Sequence, residues 1–428
     1  MRHLFIKYAG ERMTVAKHTA LTKFGAVLLA AVLAVSCTSF DDAHPYDGDL
    51  ATLEIASVYP ADYAPAEGTE IKATEITNGS YYIAKTDNKG CVTFRIPRGA
   101  YRITIAEQRE GNHLNGTLEE VRLTSAGTEP VKLELPVFLS ISGKIVIKEI
   151  YCGGCPQAPH DGNLQNDQYV ILHNNYNQTQ YLDGLCFGTL APYTSASDNN
   201  WVKTDSKGQL IFQEFAPIIE CVWQFQGKGT DFPLAPGEDA VIAIRGAVDF
   251  TQDFPLSVNL NQEDYFATFD RLSFSSNTQH LTPGDKIRPE RILRMLKKLN
   301  KSTTAYIIAI QSPAIVIFRP KEGFDFAAYL NDDSRCVATE PGGNTKCIQV
   351  PWEWILDGVE VFYSTNNHKR LKPEVDAGAF PFSILYQGHT VHRKLDEKAS
   401  AAAGYEIYVD TNNSSEDFEE RETQSLHR

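Results

Sequence analysis

The chain has 428 residues, of which 42% are hydrophobic and 22% are charged. With 29 Gly and 21 Pro its composition is neither collagen-like nor that of a disordered chain, and its length suits two or three domains. The formal net charge is −14. Because nucleic-acid binders use clustered positive charge to neutralise phosphates, this balance argues against general nucleic-acid binding.

Residues 1–36 predict a secretory leader. An apolar run over residues 24–35 follows several basic residues, and it is much shorter than the roughly 20 residues that a membrane-spanning helix needs. The small residues before Cys37 resemble a bacterial lipobox, so we expect cleavage before Cys37 and lipidation of its sulfur. The alternative is an ordinary leader followed by an unmodified cysteine. Met13 competes with Met1 as the start of translation.

Residues 37–49 predict a short acidic tether, since Asp41 and Asp42 stand close after Cys37. Acidic residues at this position resemble the export signal of surface lipoproteins in the Bacteroidota. Each buried methylene of an acyl chain contributes about 0.8 kcal/mol, so two or more chains make a stable anchor. The resemblance implies an outer-membrane location, lipid-anchored and facing the cell exterior.

Residues 50–138 predict a first β-sandwich. The segments 91–96 and 101–105 alternate apolar and polar side chains, as half-buried strands do, and Gly90 and Gly99 lie in the turns before them. The run from residue 86 to residue 101 resembles the carboxypeptidase-regulatory-like and prealbumin-like modules. The resemblance implies a small prealbumin-like or immunoglobulin-like sandwich that serves as a spacer or a docking unit.

Residues 139–415 predict a larger, strand-rich domain. Its motifs are Ile145–Tyr151, Asp167–Tyr176, Thr179–Leu185 and Phe232–Ala243. They resemble the lamin-tail type of immunoglobulin-like β-sandwich, with its "LDG" bend and its "L.PG" hairpin. Further motifs are Trp354–Glu360, Lys369–Leu371, Asp376–Gly378, His392–Lys394 and Asp410–Ser414. Together they resemble an uncharacterised Bacteroidota surface lipoprotein family of the domain-of-unknown-function 4876 type, which implies no activity.

The expected fold is therefore mainly β, with two sandwiches and one inserted basic helix, and we expect a polar tail over residues 416–428. The helix is predicted over residues 285–301, because Ile292, Leu293, Leu296 and Leu299 have helical spacing. Its basic residues are Lys286, Arg288, Arg291, Arg294, Lys297, Lys298 and Lys301. A solvated helix face is the common interpretation of such a patch. The alternative is a site for an acidic glycan, a lipid headgroup or a protein partner.

Seven cysteines follow Cys37, and an odd number in an exported chain leaves at least one unpaired. Cys336 and Cys347 flank a Pro-Gly-Gly turn at residues 341–343. We predict a disulfide between them, which would stabilise the fold by about 3 kcal/mol.

The Cys-x-x-Cys motif formed by Cys152 and Cys155 leaves three interpretations open. They are a structural disulfide, with each other or with Cys186 or Cys221, free thiols, or metal ligands. A redox role lacks the thioredoxin-like setting. A zinc site lacks a second ligand pair at the right spacing.

Trp352 and Trp354 are two residues apart on a predicted strand, where both indoles would share one face. Burial of both in the core is favoured, and an exposed pair that grips a sugar is the alternative. The run Asp410–Ser414 begins like a calcium loop but lacks the later Gly and Glu of that motif. A strand-end turn is favoured there over a weak cation site, and we expect no metal.

The sequence lacks G-x-S-x-G, H-E-x-x-H and P-loop motifs. We therefore expect no enzyme, no catalytic residue and no cofactor. The leading hypothesis is a lipid-anchored surface binding protein, accessory to nutrient uptake by a TonB-dependent outer-membrane receptor, with an unknown glycan or protein ligand. A surface adhesin or envelope-structural protein is one alternative, and a hydrolase whose carboxylates the fold assembles is another. The candidate ligand contacts are Arg288, Arg291, Arg294, Lys297, Lys298, Trp352 and Trp354.

Overall fold

The computed structural model describes ten segments of the chain. They are residues 50–109, 112–124, 129–140, 142–157, 161–206, 210–274, 277–300, 302–338, 345–363 and 366–427. The leader, the tether, Cys37 and the turn at 341–343 lie outside them. The described residues are 43% strand and 7% helix, which confirms the mainly β prediction. In the described segments, no helix has both the length and the apolar character needed to span a bilayer.

The N-terminal part of the described chain forms two sheets that share one core. Its strands are β1 Leu50–Val58, β2 Glu70–Glu75, β3 Tyr81–Lys85, β4 Cys91–Pro97, β5 Gly99–Arg109, β6 Asn112–Leu123, β7 Val131–Pro136 and β8 Phe138–Ser140. One sheet has the order β4-β1-β7 and the other the order β3-β2-β5-β6-β8. Alternate residues such as Leu53, Ile71 and Ile103 are fully buried between the sheets. Burial of each such side chain contributes about 1.5–3 kcal/mol.

The rest of the described chain is dominated by one large sheet. Its strands and those of three two-stranded sheets are β9 Ile145–Tyr151, β10 Cys155–Pro156, β11 Asn163–Leu164, β12 Tyr169–Asn174, β13 Gln180–Tyr181, β14 Cys186–Leu190, β15 Val202–Thr204, β16 Leu210–Phe212, β17 Phe215–Gln224, β18 Pro233–Leu234, β19 Asp239–Ala243, β20 Phe266–Thr268, β21 Ile292–Lys298, β22 Ala314–Phe318, β23 Cys336–Ala338, β24 Lys346–Pro351, β25 Ile355–Phe362, β26 Phe380–Pro381, β27 Thr390–Arg393 and β28 Phe418–Arg421. The helices are α1 Phe326–Asn331, α2 Glu397–Ala403 and α3 Ser414–Asp417, with 3-10 turns at Pro289–Arg291, Asp333–Arg335 and Trp352–Trp354.

The large sheet has the order β26-β25-β22-β14-β17-β21-β20-β19-β12-β9-β27-β28, with β24 and β23 extending from β17. One hydrophobic cluster takes side chains from both ends of this order, including Val361 of β25, Trp223 of β17 and Val391 of β27. The sheet therefore curls around a common core. Strands β9, β12, β22 and β27 are buried along their whole length, because both of their faces are covered.

The predicted helix over residues 285–301 is wrong. The segment forms a 3-10 turn at Pro289–Arg291 and then strand β21, which pairs antiparallel with β17 and parallel with β20. Leu293 belongs to one hydrophobic cluster and Leu299 to another on a different side of the sheet. Because a bulge interrupts β21 and its apolar side chains pack against two different hydrophobic clusters, their spacing imitates that of a helix.

The predicted polar tail also departs from the structure. Residues 418–421 form β28, which pairs with β27, and Phe418 is buried in the main core. Because charged residues flank Phe418, the segment has no apolar alternation that would predict an edge strand.

Four charged side chains form a buried cluster, the arginine–aspartate cluster, that links β25, β27 and the segment before β28. The Arg393 guanidinium contacts Asp357 at 2.9 Å, Asp410 at 3.0 Å and Asp417 at 3.4 Å. Arg393 also donates to the backbone carbonyl of Ile147 at 2.9 Å. Three carboxylates face one cation, so the cluster carries excess negative charge if all are ionised. Burial raises the pKa of Asp357 to about 6 and that of Asp417 to about 7, although Arg393 opposes both shifts.

The side chains of the run Asp410–Ser414 make hydrogen bonds that hold the fold together. Asp410 accepts hydrogen bonds from Arg393 and from the Gly143 amide, so its oxygens are engaged. The segment also contacts the N-terminal sheets: the Asn413 side chain donates to Thr117 at 3.1 Å and Lys72 pairs with Glu416 at 3.1 Å. The resemblance to a calcium loop therefore reflects a turn that joins two cores.

Candidate functional site

An open cleft of about 570 Å³ lies beside β21 in the large sheet. It is lined by Gly184, Gln224, Phe225, Gln226, Gly227, Lys228, Asp231, Phe232, Arg288, Glu290, Arg291 and Arg294. We call this site the arginine cleft. Two segments form most of its wall: the loop over residues 226–232, which follows β17, and the segment 288–294, which includes the start of β21. Its volume falls in the range of roughly 300–1,000 Å³ that small-molecule sites occupy.

The loop 226–232 is shaped by one carboxylate. Asp183, in the "LDG" motif, accepts backbone hydrogen bonds from Gly229 at 2.9 Å, Asp231 at 2.9 Å and Phe232 at 2.8 Å. These bonds lower the pKa of Asp183 despite its desolvation. Gly227 has φ of +119°, and a Cβ there would collide with the Asp183 carboxylate. The loop therefore depends on glycine at position 227 and on aspartate at position 183.

The other wall presents three guanidinium groups at successive third positions. Pro289 begins the 3-10 turn and has no amide hydrogen to leave unpaired, and the chain then extends into β21. Arg288 lies 3.6 Å from Glu290, and Arg294 donates to the Gln224 side chain at 3.2 Å. Arg291 packs its guanidinium carbon 4.7 Å from the Phe266 ring centroid. The turn and the strand together direct all three arginines to one cleft.

The lining carries more positive than negative charge. Lys228 and the three arginines are cations, whereas Asp231 and Glu290 are the carboxylates among the lining residues. Arginine forms paired, charge-assisted hydrogen bonds with carboxylate and phosphate groups. In an open cleft these interactions need less desolvation than in a closed core, so the arrangement suits reversible binding of an oxyanion.

The structure separates the predicted basic residues into two groups. Arg288, Arg291 and Arg294 line the arginine cleft, whereas Lys297 and Lys298 do not. Lys298 donates to the Ser273 carbonyl at 3.0 Å and lies over the Phe274 ring. The patch is therefore not one face, because a strand alternates its side chains between opposite faces of the sheet.

The predicted tryptophan pair is not an exposed platform. Trp352 and Trp354 lie in a 3-10 turn between β24 and β25, not on a strand. Trp354 is buried against the rings of Phe326 and Tyr329, and Trp352 donates its indole N–H to the Gln213 carbonyl at 2.9 Å. Both indoles contact other parts of the protein, and neither forms an exposed surface for a ligand.

The predicted disulfide between Cys336 and Cys347 is wrong. The structure has both as free thiols, on neighbouring strands β23 and β24. Cys336 lies opposite Ile348 and Cys347 lies opposite Val337. The two cysteines are one residue out of register, and their side chains therefore point to opposite faces, where they join different hydrophobic clusters.

Cys152 and Cys155 are likewise free and buried, and so are Cys186 and Cys221. Burial raises the pKa of both Cys152 and Cys155 to about 12. At neutral pH both are protonated thiols, and it is the thiolate that attacks disulfides and binds metals. Within the described segments, no group of three or more His, Cys, Asp or Glu side chains is placed to hold a metal ion.

The sequence interpretation missed Asp183, Gly227 and Lys228 as parts of a site. The available signal was the "LDG" bend followed by the glycine-rich run Gly227-Lys228-Gly229. Neither motif indicates binding by itself, because turns use the same residues. Only the pairing of β17 with β21 places the glycine-rich loop beside the arginines.

A second, larger groove of about 1,150 Å³ lies between β6 and β7 of the N-terminal sheets and the β15–β16 hairpin. Apolar side chains such as Leu118, Leu133 and Phe212 contribute to its lining. Its charged lining residues balance, with the carboxylates of Glu119, Glu120 and Glu134 against the cations of Arg122, Lys132 and Lys369. The groove therefore lacks the excess of one charge that distinguishes the arginine cleft.

The fold and the site define a mainly β protein with an arginine-lined cleft. Residues 235–425 match the model of a family described as "Protein of unknown function (DUF4876)". The chain is also similar to the crystal structure of a DUF4876 family protein from Bacteroides thetaiotaomicron VPI-5482, with 25% identity, a TM-score of 0.54, and coverage of 86% of this chain and 94% of that one. These matches confirm the resemblance to this family.

Another solved structure, a DUF3823 family protein from Parabacteroides merdae ATCC 43184, matches with 12% identity and a TM-score of 0.17, over 42% of this chain and 83% of that one. No curated protein matches the chain.

Proposed function

We propose that this chain is a lipid-anchored cell-surface protein that binds an anionic ligand in the arginine cleft, as an accessory to nutrient uptake through a TonB-dependent outer-membrane receptor. The observation that supports the proposal is the convergence of Arg288, Arg291 and Arg294 on one open cleft. The three guanidinium groups and Lys228 outnumber the two lining carboxylates, which favours an anion over a neutral molecule. The uptake role rests on the resemblance to surface lipoproteins.

The order of the segments fits this role. The lipidated cysteine at position 37 would come first, the sheets β1–β8 would follow as a spacer, and the cleft belongs to the sheet beyond them. Such an order would put the spacer between the anchor and the binding site along the chain. Contacts such as the Lys72–Glu416 ion pair attach the spacer to the cleft-bearing part, which limits its freedom to swing.

Removal of the acylated sulfur tests the location. We expect Cys37→Ala to release the protein from membranes, because two or more acyl chains supply the anchoring energy. Fractionation of cells and mass spectrometry of the N-terminal peptide measure the change. An exposed-cysteine control, Cys91→Ala, should leave the protein in the membrane fraction. Membrane association of Cys37→Ala equal to that of the wild type would refute the anchor.

Charge reversal at the rim of the cleft tests the ligand class. Arg294 is exposed, so Arg294→Glu should fold normally while reversing one of the cleft's cations. Hydrogen bonds to charged groups contribute about 1.5–3 kcal/mol, so we expect about a tenfold or greater loss of affinity for anionic glycans on an array. Lys321→Glu makes the same charge change at an exposed ion pair outside the cleft and should bind as the wild type does. Equal binding by both variants would remove the cleft from the proposal.

A hydrolase is the second candidate, because Asp231 and Glu290 both line the cleft and paired carboxylates hydrolyse glycosidic bonds. Binding is better supported, since cations outnumber carboxylates there. Product formation from an anionic glycan by the wild type, lost in both Asp231→Asn and Glu290→Gln, would favour the hydrolase.

A further inference from the structure

We propose that the arginine cleft binds a small, hydroxyl-bearing carboxylate, such as a uronic acid unit, and that Arg291 is the residue that binds the carboxylate group. This inference rests on the proposed function and narrows it to a ligand class. It assigns different roles to three arginines that the sequence presents as equivalent.

Arg291 differs from its neighbours by being held in place before any ligand arrives. Its guanidinium lies 4.7 Å from the Phe266 ring centroid and 5.7 Å from that of Phe232. Its Nη1 donates to the Asp264 carbonyl at 2.6 Å. Arg288 and Arg294 are exposed, whereas Arg291 is half-buried. Because its orientation is fixed, Arg291 loses less conformational entropy on binding.

The same residue has unmet hydrogen-bonding capacity. Its Nε is buried and has no hydrogen-bond partner within the described segments. Nη1 is engaged by the Asp264 carbonyl, and Nε shares the opposite edge of the guanidinium with Nη2. That edge presents two parallel donors, which match the two oxygens of a carboxylate. A shift of the side chain that brings Nε to a ligand oxygen would give this unpaired buried donor a partner, which favours the occupied site.

The electrostatic setting of Arg291 also favours an anion. Burial and then the nearby Arg288 cation lower the pKa of Arg291, although the carboxylates of Asp264, Glu290 and Glu263 oppose the shift. The charged form is therefore less stable here than in water, and a bound negative charge would relieve this cost.

The lining carboxylates indicate which anion fits better. Asp231 and Glu290 oppose a second negative charge in the same cleft. A carboxylate carries one negative charge at neutral pH, whereas a phosphate monoester carries about 1.5 to 2. The cleft therefore suits a monoanion.

The remaining polar groups suit hydroxyls. Asp231 and Glu290 can each accept several hydrogen bonds, and hydroxyl groups of a sugar are donors. Gln224 is oriented by its bonds to Arg294 and to the Gly184 carbonyl, the latter at 3.2 Å. The cleft thus combines one fixed site for an anion with acceptors around it, which describes a polyhydroxylated acid more closely than a simple ion.

Binding of three matched sugars to the full mature lipoprotein in detergent tests this inference by calorimetry. The probes are galacturonate, galactose and galactose 6-phosphate. We expect galacturonate to bind at least about tenfold more tightly than either of the others. Tighter binding of galactose 6-phosphate would overturn the carboxylate assignment but leave anion binding intact. Absence of binding by both anions would overturn the proposed function as well.

A pair of conservative variants tests the role of Arg291. Arg291→Lys keeps the charge but loses the two-donor edge, so we expect about a tenfold or greater loss of galacturonate affinity. Arg335→Lys, at an exposed ion pair outside the cleft, is the matched control and should bind within about threefold of the wild type. Thermal melting verifies that both variants fold. Equal affinities of folded Arg291→Lys and of the wild type would overturn the inference. If that variant does not fold, the binding of the three sugars to the wild type still tests the carboxylate assignment.

Discussion

Arg393→Met should lower the free energy of unfolding by about 3–5 kcal/mol, the cost of leaving buried charges without their partner. Arg393 contacts Asp357, Asp410 and Asp417 and is the cation of the arginine–aspartate cluster. Methionine preserves much of the aliphatic volume, so the effect reports on charge and hydrogen bonding more than on packing. Urea unfolding followed by tryptophan fluorescence measures the loss.

Arg421→Met on the neighbouring strand β28 is the control. Arg421 pairs with Glu419 at 2.7 Å, but both side chains are about 40% exposed, and exposed ion pairs contribute about 0–1 kcal/mol. We expect Arg421→Met to lose less than about 1 kcal/mol. An equally small loss for Arg393→Met would show that the cluster does not hold β25, β27 and β28 together.

Asp417→Asn should make the protein's stability less dependent on pH. Burial raises the pKa of Asp417 from its ordinary 3.8 to about 7 in the folded state. Between about pH 4 and pH 7 the folded state therefore binds more protons than the unfolded state, and the stability contributed by this proton is lost as the pH rises. The amide of the variant does not titrate, and its one oxygen can still accept one of the two hydrogen bonds that Thr411 donates to Asp417, at 2.6 Å to Oδ1 and 2.9 Å to Oδ2.

The measurement is the difference in free energy of unfolding between wild type and Asp417→Asn, followed from pH 4.5 to pH 8. A pKa unit corresponds to about 1.4 kcal/mol, so we expect the difference to shift by about 2–4 kcal/mol in favour of the variant as the pH rises. Asp62→Asn, on an exposed turn, is the control and should run parallel to the wild type. A constant difference for Asp417→Asn would mean that Arg393 keeps all three carboxylates ionised.

The prediction of strands succeeded where a segment has one buried face. In β1 and β4 every second side chain is buried, so the sequence itself alternates between apolar and polar residues. It failed for β21, where a bulge shifts the alternation and apolar side chains pack against two different hydrophobic clusters. It failed again for β28, where one buried phenylalanine stands among charged residues. The sequence pattern of β21 resembles that of a helix, and the pattern of β28 resembles that of a polar tail.

The candidate site was predicted in part. The arginines at 288, 291 and 294 were singled out for their charge, and they do line a cleft. The lysines at 297 and 298 shared that charge but lie elsewhere, and the two tryptophans are packed away. Charge density along the chain does not say which side of a strand a side chain occupies, because that depends on register with β17 and β20.

The amino-acid sequence by itself determined the strand-rich class, the alternation of the first module and the concentration of basic residues in and just before β21. These properties depend on neighbours in the chain, and local spacing reports them. Tertiary structure decided the free state of the cysteines, the burial of Arg393 among three aspartates, and the meeting of the 226–232 loop with Arg291. These depend on which strands pair, a choice made by the burial of apolar surface across hundreds of residues, and no window of sequence contains that information.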